Sequence, residues 1–295
     1  MRLPSSVIII MLIYFFFNSQ AIFSQTKQDS TQHYIKTTSG NEYIGHIIQK
    51  DSFKVVLLTN ELGQIAISNS NIKKIKEIKP GQIKDGKYWF ENFQATRHFW
   101  SPNGYGLKQN EGYYQNVWIF FNQFSIGITD NISLGIGTAP MFLFGGEATP
   151  VWLLPKVSIP LVKDKLNIAG GALIGTILGG ETTGYGIVYS TTTYGSKDNN
   201  MSLGLGWGYI DNEFAKNPVI NFSAIARTGP RGYFITENYY FPSEGTSLTL
   251  ISIGGRRLIK SVGLDYGLIF PISEDIDSFA AMPWLGLTVP FGNNN

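Results

Sequence analysis

The sequence contains no cysteine and only three histidines among 295 residues. A chain without cysteine has no disulfide, no thiolate metal site, no cysteine nucleophile and no lipid-modified N-terminal cysteine. The three histidines, His33, His46 and His98, are too few to supply a convincing transition-metal site. We therefore predict neither a metal centre nor a bound cofactor.

Long apolar runs are also scarce. The one such run, Val7–Phe17, follows Arg2 and precedes small and polar residues. This order is typical of a secretory signal peptide, which we place at residues 1–24 with cleavage after Ser24 or Ala21. An uncleaved membrane-anchoring helix is the alternative. No later run approaches the roughly eighteen apolar residues of a membrane-spanning helix, so we expect an exported protein without helical spans.

Charged residues make up only 15% of the chain, whereas glycine occurs 33 times and aromatic residues make up 14%. Their arrangement is clearest in Met201–Tyr209, MSLGLGWGY, where large apolar side chains alternate strictly with glycine and serine. Successive side chains of a strand point to opposite faces, so this strand has one large apolar face and one nearly bare face. Either a second sheet or lipid must cover the apolar face.

The same alternation recurs through the second two-thirds of the chain. In residues 132–144 and 262–270, large apolar side chains oppose glycine, serine, asparagine and a single aspartate. A soluble sandwich or soluble barrel would carry many lysines and glutamates on its polar face, and these polar faces carry few. The alternation therefore predicts an all-β protein that contains an antiparallel transmembrane β-barrel.

Turn signals divide the predicted barrel, residues 93–291, into twelve strands, and an even count returns both chain ends to one side. The predicted strands are Phe93–Ser101, Tyr114–Ile128, Ile132–Phe144, Pro150–Val162, Leu166–Leu178, Tyr185–Tyr194, Asn200–Ile210, Pro218–Arg227, Gly232–Phe241, Ser247–Leu258, Val262–Pro271 and Asp277–Phe291. Residues 80–92, which begin with a Pro-Gly pair, are predicted to be a linker before the barrel.

Residues 33–79 contain five short β-runs separated by turn signals, so we predict a small separate β domain. Gly40 and Gly45, with Asp51 six residues further on, match the first motif of the Sm-like family, whose glycines permit a sharply bent strand. The domain therefore resembles an Sm-like or SH3-like fold. Lys54 stands where that family has its base-contacting asparagine, and the Ile-Arg-Gly of its second motif is missing, so we expect no nucleic-acid partner.

Four lysines, Lys73, Lys74, Lys76 and Lys79, lie at the end of this domain. We interpret them as charges that keep an edge strand from pairing with another sheet. A patch for lipid headgroups or nucleic acid is the alternative interpretation.

The last predicted strand carries a possible insertion signal. Gly286, Val289 and Phe291 have the spacing of the C-terminal insertion signal of outer-membrane proteins, although Trp284 and the residues after the aromatic depart from it. With the glycine-lined strands, this makes the barrel region resemble the outer-membrane β-barrel proteins of Gram-negative bacteria. The resemblance implies an outer-membrane location, contact with outer-membrane lipid and insertion by the barrel-assembly machinery. It implies no particular activity.

The signs of the charges separate between the two ends of the predicted barrel. If the small domain is periplasmic, the turns on its side carry Lys163, Lys165, Lys197, Arg227, Arg231, Arg256, Arg257 and Lys260, and the opposite loops are mostly acidic. We interpret this as a basic end on anionic phospholipid and an acidic mouth that gathers cations, with surface solubility as the alternative. The small domain would then face a periplasmic or peptidoglycan-side partner.

The alternation of side chains along each strand and their position between its ends place Lys156, Arg227 and Asp265 in the lumen. Glu237 and Arg257 are further lumen-lining candidates. An ionisable group that faces lipid costs about 2–4 kcal/mol at mid-membrane, which favours the inward assignment. Two arrangements stay open: the charges line a narrow aqueous path, or they pair with one another and plug the barrel. We therefore predict a narrow pore or an envelope anchor.

A lipid-modifying enzyme, a hydrolase or an acyltransferase, is the competing function. Such a barrel needs a serine activated by a histidine on one face near the outer rim. His98 and Ser101 are the only candidates near a rim, and a spacing of three residues puts them on opposite faces of a strand. We therefore predict no catalytic residues.

Overall fold

The computed structural model describes residues 31–78, 82–84, 86–140, 148–179, 184–211, 213–243, 245–276 and 281–292. The predicted signal peptide lies outside the described residues. The chain divides into two compact units, Met1–Ile83 and Lys84–Asn295. In the described part of the chain, no helix has both the length and the apolar character needed to cross a membrane.

The first unit contains the predicted five-stranded sheet. Its strands are β1 (Gln32–Thr37), β2 (Glu42–Lys50), β3 (Lys54–Thr59), β4 (Gly63–Ser68) and β5 (Ile72–Glu77), with one 3-10 turn at Asn69–Asn71. All neighbouring strands are antiparallel, in the order β4-β3-β2-β1-β5. The lysine-rich strand β5 lies at one edge of this sheet.

The core of the small unit consists of Ile35, Val55, Leu57 and Ile67. A Cβ atom added to Gly45 would lie 2.2 Å from the carbonyl oxygen of Leu58, so only glycine lets β2 pass this close to β3. The Asp51 carboxylate accepts the backbone N–H groups of Phe53 and Lys54 at 2.8 and 2.9 Å, which lowers the pKa of this carboxyl below its ordinary value.

Two short strands, β6 (Ile83–Lys84) and β7 (Lys87–Tyr88), pair with each other where the second unit begins at Lys84, and the chain continues into a closed barrel. The barrel strands are β8 (Glu111–Val117), β9 (Phe121–Gly127), β10 (Ile132–Thr138), β11 (Thr149–Val162), β12 (Leu166–Leu178), β13 (Gly184–Gly195), β14 (Asn199–Ile210), β16 (Val219–Arg227), β17 (Gly232–Phe241), β18 (Leu248–Ile259), β19 (Val262–Ile272) and β20 (Met282–Gly292). A two-residue strand, β15 (Glu213–Phe214), pairs only with β14.

The twelve strands form an antiparallel ring, which β20 closes by pairing with β8. The predicted count of twelve is therefore confirmed. On β14 the alternation has the expected effect, because Leu203 and Leu205 are exposed on the outside while Ser202 and Gly204 are buried on the inside.

Large apolar side chains cover the outside of the barrel. They come from strands β9 to β14 and β16 to β20. They include Phe124, Ile126, Ile132, Leu134, Ile136, Leu153, Val157, Ile159, Leu161, Ile174, Val188, Met201, Leu203, Leu205, Trp207, Ile220, Phe222, Phe234, Tyr240, Ile251, Ile253, Tyr266, Leu268, Leu285, Leu287, Val289 and Phe291. A continuous apolar exterior of this kind is unusual for a protein surface in water.

The first barrel strands differ from the prediction. Residues 93–101 are not a strand, and the predicted strand 114–128 is two strands, β8 and β9. The chain reverses at Trp118 and Ile119, which have positive φ angles of 50° and 69°. Bulky side chains rarely adopt this conformation, so the apolar run gave no turn signal. One lost strand and one divided strand leave the count unchanged.

The lumen is filled by residues 89–110, which we call the plug. Gln94, Arg97, His98 and Phe99 are almost completely buried. Phe99 belongs to an apolar cluster whose other members are inward-facing wall residues: Val117, Ile225, Tyr233, Ile235, Leu258 and Trp284. The apolar residues on the inner face of the wall thus pack against the plug, and the barrel has a core of its own.

Leu258 and its neighbour Ile259 test this core, because the first faces the plug and the second is exposed on the outside. We expect Leu258→Ala to lower the free energy of unfolding by about 2–5 kcal/mol, since it leaves a cavity beside Phe99. Denaturant unfolding of the refolded protein in detergent measures the change. Ile259→Ala is the control, and equal losses in both variants would contradict a packed lumen.

The plugged lumen as candidate functional site

The plug is hydrogen-bonded to inward-facing residues around most of the ring. The wall residues that bind it are Gln115 of β8, Lys156 of β11, Thr193 of β13, Asn200 of β14, Asn221 of β16, Glu237 of β17, Arg256 of β18, Asp265 of β19 and Thr288 of β20. Since these strands surround the segment, the plug lies inside the barrel and does not rest against one wall.

Asp265 is the centre of the largest polar cluster. Its carboxylate accepts two hydrogen bonds from Arg256, at 2.5 Å from Nε and 2.9 Å from Nη2, and one from Arg97 Nη1 at 3.2 Å. All three side chains are at most 2% exposed. Because Arg97 belongs to the plug and the other two residues to the wall, this ion cluster joins the plug to the barrel.

The two arginines also bind the backbone of the plug. Arg256 donates to the carbonyl oxygens of Gln94 and His98 at 3.0 and 2.5 Å. Arg97 donates to the carbonyl oxygens of His98 and Phe99 at 3.1 and 2.7 Å, and to the hydroxyl of Thr288. Carbonyl groups that could not reach water are satisfied in this way.

Glu237 of β17 holds the tip of the plug. Its Oε2 atom accepts the consecutive backbone N–H groups of Phe99, Trp100 and Ser101 at 2.8, 3.0 and 3.0 Å. The Tyr239 hydroxyl donates to Oε1 at 2.8 Å. Successive N–H groups that converge on one anion form a nest, so the carboxylate is fully bonded although it is buried.

Lys156 and Arg227 contact the plug at two other levels. Lys156 Nζ donates to the carbonyl oxygens of Thr96 and Tyr105 at 3.2 and 2.6 Å. Arg227 lies where the plug enters the barrel: it forms an ion pair with Asp198 at 2.7 Å and donates to the carbonyl oxygen of Phe90 at 2.5 Å. Three of the predicted lumen residues, Lys156, Glu237 and Asp265, thus lie in the lumen, and Arg227 lies at its end.

The fifth predicted lumen residue, Arg257, is exposed on the outer face of β18, and its neighbour Arg256 points inward. The sequence pattern does not distinguish the inner face of β18 from the outer face, because Leu258 also faces inward and both faces carry apolar side chains. Ile251 and Ile253 are exposed, and every second residue of a strand lies on the same face, so they indicate that Arg257 lies on the outer face. Arg97 is not among the predicted lumen residues, because the sequence pattern predicts a strand at residues 93–101, where the structure has the plug.

The side chains of His98 and Ser101 contact different residues of the barrel wall. His98 Nε2 lies 3.2 Å from Asn200 Oδ1, and the Ser101 hydroxyl donates to Asn221 Oδ1 at 2.9 Å. Both side chains are buried inside the plug region rather than placed at an outer rim. Within the described ranges, no group of three or more histidine, aspartate or glutamate side chains could hold a metal ion.

A cavity of about 240 Å³ lies between the plug and strands β8 to β17. Its walls are mostly apolar and include Leu107, Leu154, Leu173 and Ile187, with aromatic rings from both the plug and the wall. Among the residues that the structure describes, the charged side chains that line it are Arg97 and Lys156, and neither is a carboxylate. The lumen therefore combines a polar, ion-paired side with an apolar cavity of positive charge.

The predicted insertion-signal residues belong to β20, the strand that closes the ring. Val289 and Phe291 are partly exposed on the outside, and Gly286 faces inward opposite Val117 of β8. Their role in insertion stays a prediction.

Comparison with known proteins gives little more. No family model matches the chain, and no curated protein matches it. Among solved structures, OmpT of Vibrio cholerae, described as outer-membrane expressed, is 9% identical over 89% of this chain and 95% of that chain, with a TM-score of 0.35. OpdQ of Pseudomonas aeruginosa is 11% identical over 86% of this chain and 82% of that chain, also with a TM-score of 0.35. Superpositions this weak carry no argument about function.

Removing the carboxylate of Asp265 would leave two buried guanidinium groups without their counter-ion. We expect Asp265→Asn to lower the free energy of unfolding by about 3–5 kcal/mol, because breaking a buried ion pair leaves an uncompensated charge. Denaturant unfolding measures the loss, with the exposed Glu213→Gln as the control. Adding Arg97→Met to Asp265→Asn should restore part of the stability. A stability equal to that of the wild type would mean that the cluster does not hold the plug.

Proposed function

We propose that this chain is an outer-membrane β-barrel protein whose lumen is closed by the plug, the segment just before its first barrel strand, with the small domain in the periplasm. The observation that carries the functional part is the plug, which hydrogen bonds to inward-facing residues of nine barrel strands. A barrel filled in this way is not an open pore. The predicted narrow pore is compatible with it only as a gated transport protein whose plug moves, and the predicted envelope anchor is compatible with it as it stands.

The membrane location rests on the two faces of the barrel. The outside carries large apolar side chains, whereas the inside carries buried serines, threonines, asparagines and ion pairs. A closed barrel satisfies its strand hydrogen bonds internally, which is what a membrane-spanning sheet needs. Outer-membrane lipid is therefore the proposed surrounding of the exterior, and the barrel-assembly machinery the proposed partner during insertion.

The orientation follows from the connections. The turns 128–131, 163–165, 196–198, 228–231 and 260–261 lie at the same end of the barrel as the start of β8 and the end of β20. Short turns at one end and longer loops at the other are typical of outer-membrane barrels, whose short turns are periplasmic. The small domain precedes β8, so we place it in the periplasm too, beside a periplasmic or peptidoglycan-side partner.

Single-cysteine variants test this orientation cleanly, because the chain has no cysteine of its own. We expect an impermeant maleimide to label Lys216→Cys on intact cells, since this position lies in a proposed outer loop. Lys163→Cys in an inner turn and Glu61→Cys in the small domain should react only after the outer membrane is permeabilised. Labelling of Glu61→Cys in sealed cells would reverse the proposed orientation.

Transport gated by the plug is the function that the lumen supports best. A ring of twelve strands spaced about 4.8 Å apart and tilted by about 40° has a backbone diameter of roughly 24 Å, and side chains leave about 10 Å. The plug occupies this bore, and most of its bonds to the wall are polar contacts that water can replace when it moves. The cavity beside it offers space for a small molecule.

An envelope anchor is the second candidate, and the small domain favours it. The strand order β4-β3-β2-β1-β5 and the 3-10 turn before β5 support an Sm-like or SH3-like fold, which would serve as a binding module. Anchoring needs no path through the barrel, so conductance measurements separate the two candidates.

We expect the wild-type protein to give no steady current in planar bilayers. Replacing residues 93–103 by a glycine-serine linker of equal length should produce stable conductance steps, because it removes the contacts of the plug with Asp265 and Glu237. A similar replacement of the exterior residues 215–218 is the control and should stay silent. A steady wild-type current would contradict closure by the plug, and silence of the plug variant would favour the anchor.

A further inference from the structure

The buried charges of the lumen do not balance. Among the described residues, the buried cations are Arg97, Lys156 and Arg256, and the buried carboxylates are Glu237 and Asp265. Asp265 pairs with both arginines, while Glu237 is bonded by backbone N–H groups and a tyrosine hydroxyl. A buried charge without a counter-ion is unfavourable, so the lumen has a deficit of one negative charge.

Lys156 is the cation without a carboxylate. Its ammonium group has three N–H donors, and two of them are used by the carbonyl oxygens of Thr96 and Tyr105. The residue is 8% exposed and lines the cavity, so its remaining donor is available to a group inside the cavity. A ligand anion in the cavity would supply both the missing charge and the missing acceptor.

Other donors around the cavity are also unsatisfied. Arg97 Nε, Thr96 Oγ1 and Thr191 Oγ1 are buried and have no hydrogen-bond partner in the described structure. All three residues line the cavity and are at least nine-tenths buried. Buried polar atoms without partners are rare in folded proteins, and several around one space indicate that a polar ligand group completes them.

The apolar part of the cavity wall determines which kind of molecule can carry the anionic group. Leu107, Leu154, Leu173 and Ile187 line it together with Trp100 and Tyr189. On the inner face of β14, a Cβ atom added to Gly204 would make ordinary van der Waals contacts from 3.4 Å, so this glycine leaves room for one methyl group beside the cavity. An inorganic anion alone would leave these apolar surfaces uncovered.

We propose that this cavity binds a small amphipathic monoanion, whose carboxylate contacts Lys156 and the donors beside it and whose apolar body lies against the leucine-lined wall. The site goes beyond the proposed function, because a plugged barrel needs no ligand. Lys156 also joins the cavity to the plug through the Thr96 carbonyl, next to Arg97 in the chain. Occupancy of the site is therefore coupled to the contacts that hold the plug.

Calorimetric titration of the full chain in lipid nanodiscs tests the proposal with octanoate as the probe. Octanamide has the same chain without the charge, and empty nanodiscs correct for partition into lipid. We expect saturable binding of octanoate that is at least about tenfold tighter than that of octanamide, since charged hydrogen bonds are the stronger ones. Equal affinities, or a titration equal to that of empty nanodiscs, would overturn the proposal. If inorganic phosphate competes as well as octanoate, binding does not need an apolar body, and that part of the proposal is wrong.

Lys156→Met should lower the affinity for octanoate at least about tenfold and leave that for octanamide unchanged. Lys163→Met, in an exposed turn, is the control. Because Lys156 also holds the plug, a second pair of variants leaves the ammonium in place. Leu173→Trp should fill the cavity and abolish octanoate binding, whereas Ile174→Trp, whose side chain points outward on the same strand, should not.

Failure of this site and failure of the proposed function are distinguishable in one preparation. A gel shift between unboiled and boiled samples reports the folded barrel, and it does not depend on a ligand. Unchanged octanoate binding in Lys156→Met or Leu173→Trp, with the gel shift intact, would overturn the site and leave the plugged barrel standing.

Discussion

The ion cluster of Asp265 with Arg97 and Arg256 is the interaction on which the closed lumen depends. A single carboxylate lies between two guanidinium groups, one on the wall and one on the plug. Without it, two positive charges would face each other in a space with little water, and their repulsion would separate the plug from β18. With it, each arginine can also bind the backbone carbonyls of residues 94–99.

The plug is therefore held mainly through its backbone. Glu237 binds three consecutive N–H groups, and the arginines bind three carbonyl oxygens, so both kinds of backbone group find partners without regular secondary structure. Phe99 is the main apolar contribution, packed among inward residues of the wall. A plug bound by hydrogen bonds can exchange them for bonds to water when it moves, whereas an apolar plug would resist leaving its pocket.

The sequence alone predicted most of the wall, because lipid-facing and lumen-facing positions alternate wherever the lumen side is polar or bare. Strands β11 to β14 and β16 to β19 lie close to their predicted bounds. The assignment of inner and outer faces failed where apolar residues face inward. Ile235 and Leu258 pack around Phe99, so β17 and β18 have apolar side chains on both faces. The strand prediction also failed at residues 93–101, whose mixed polar and aromatic side chains are explained only by contacts with strands far away in sequence.

The contacts of the plug differ between its two sides. Toward β16 to β20, the Asp265 cluster and the Glu237 nest surround each buried carboxylate with several donors. The cavity extends along β8 to β14 and reaches β16 and β17, and Lys156 is the buried charge of the wall that lines it. A molecule that enters the cavity thus meets Lys156 without first breaking the Asp265 cluster. Since Thr96, which Lys156 binds, is bonded in the chain to Arg97, a change on the cavity side reaches the ion cluster through one peptide bond. The cavity side of the plug is therefore the side from which its hold can be altered.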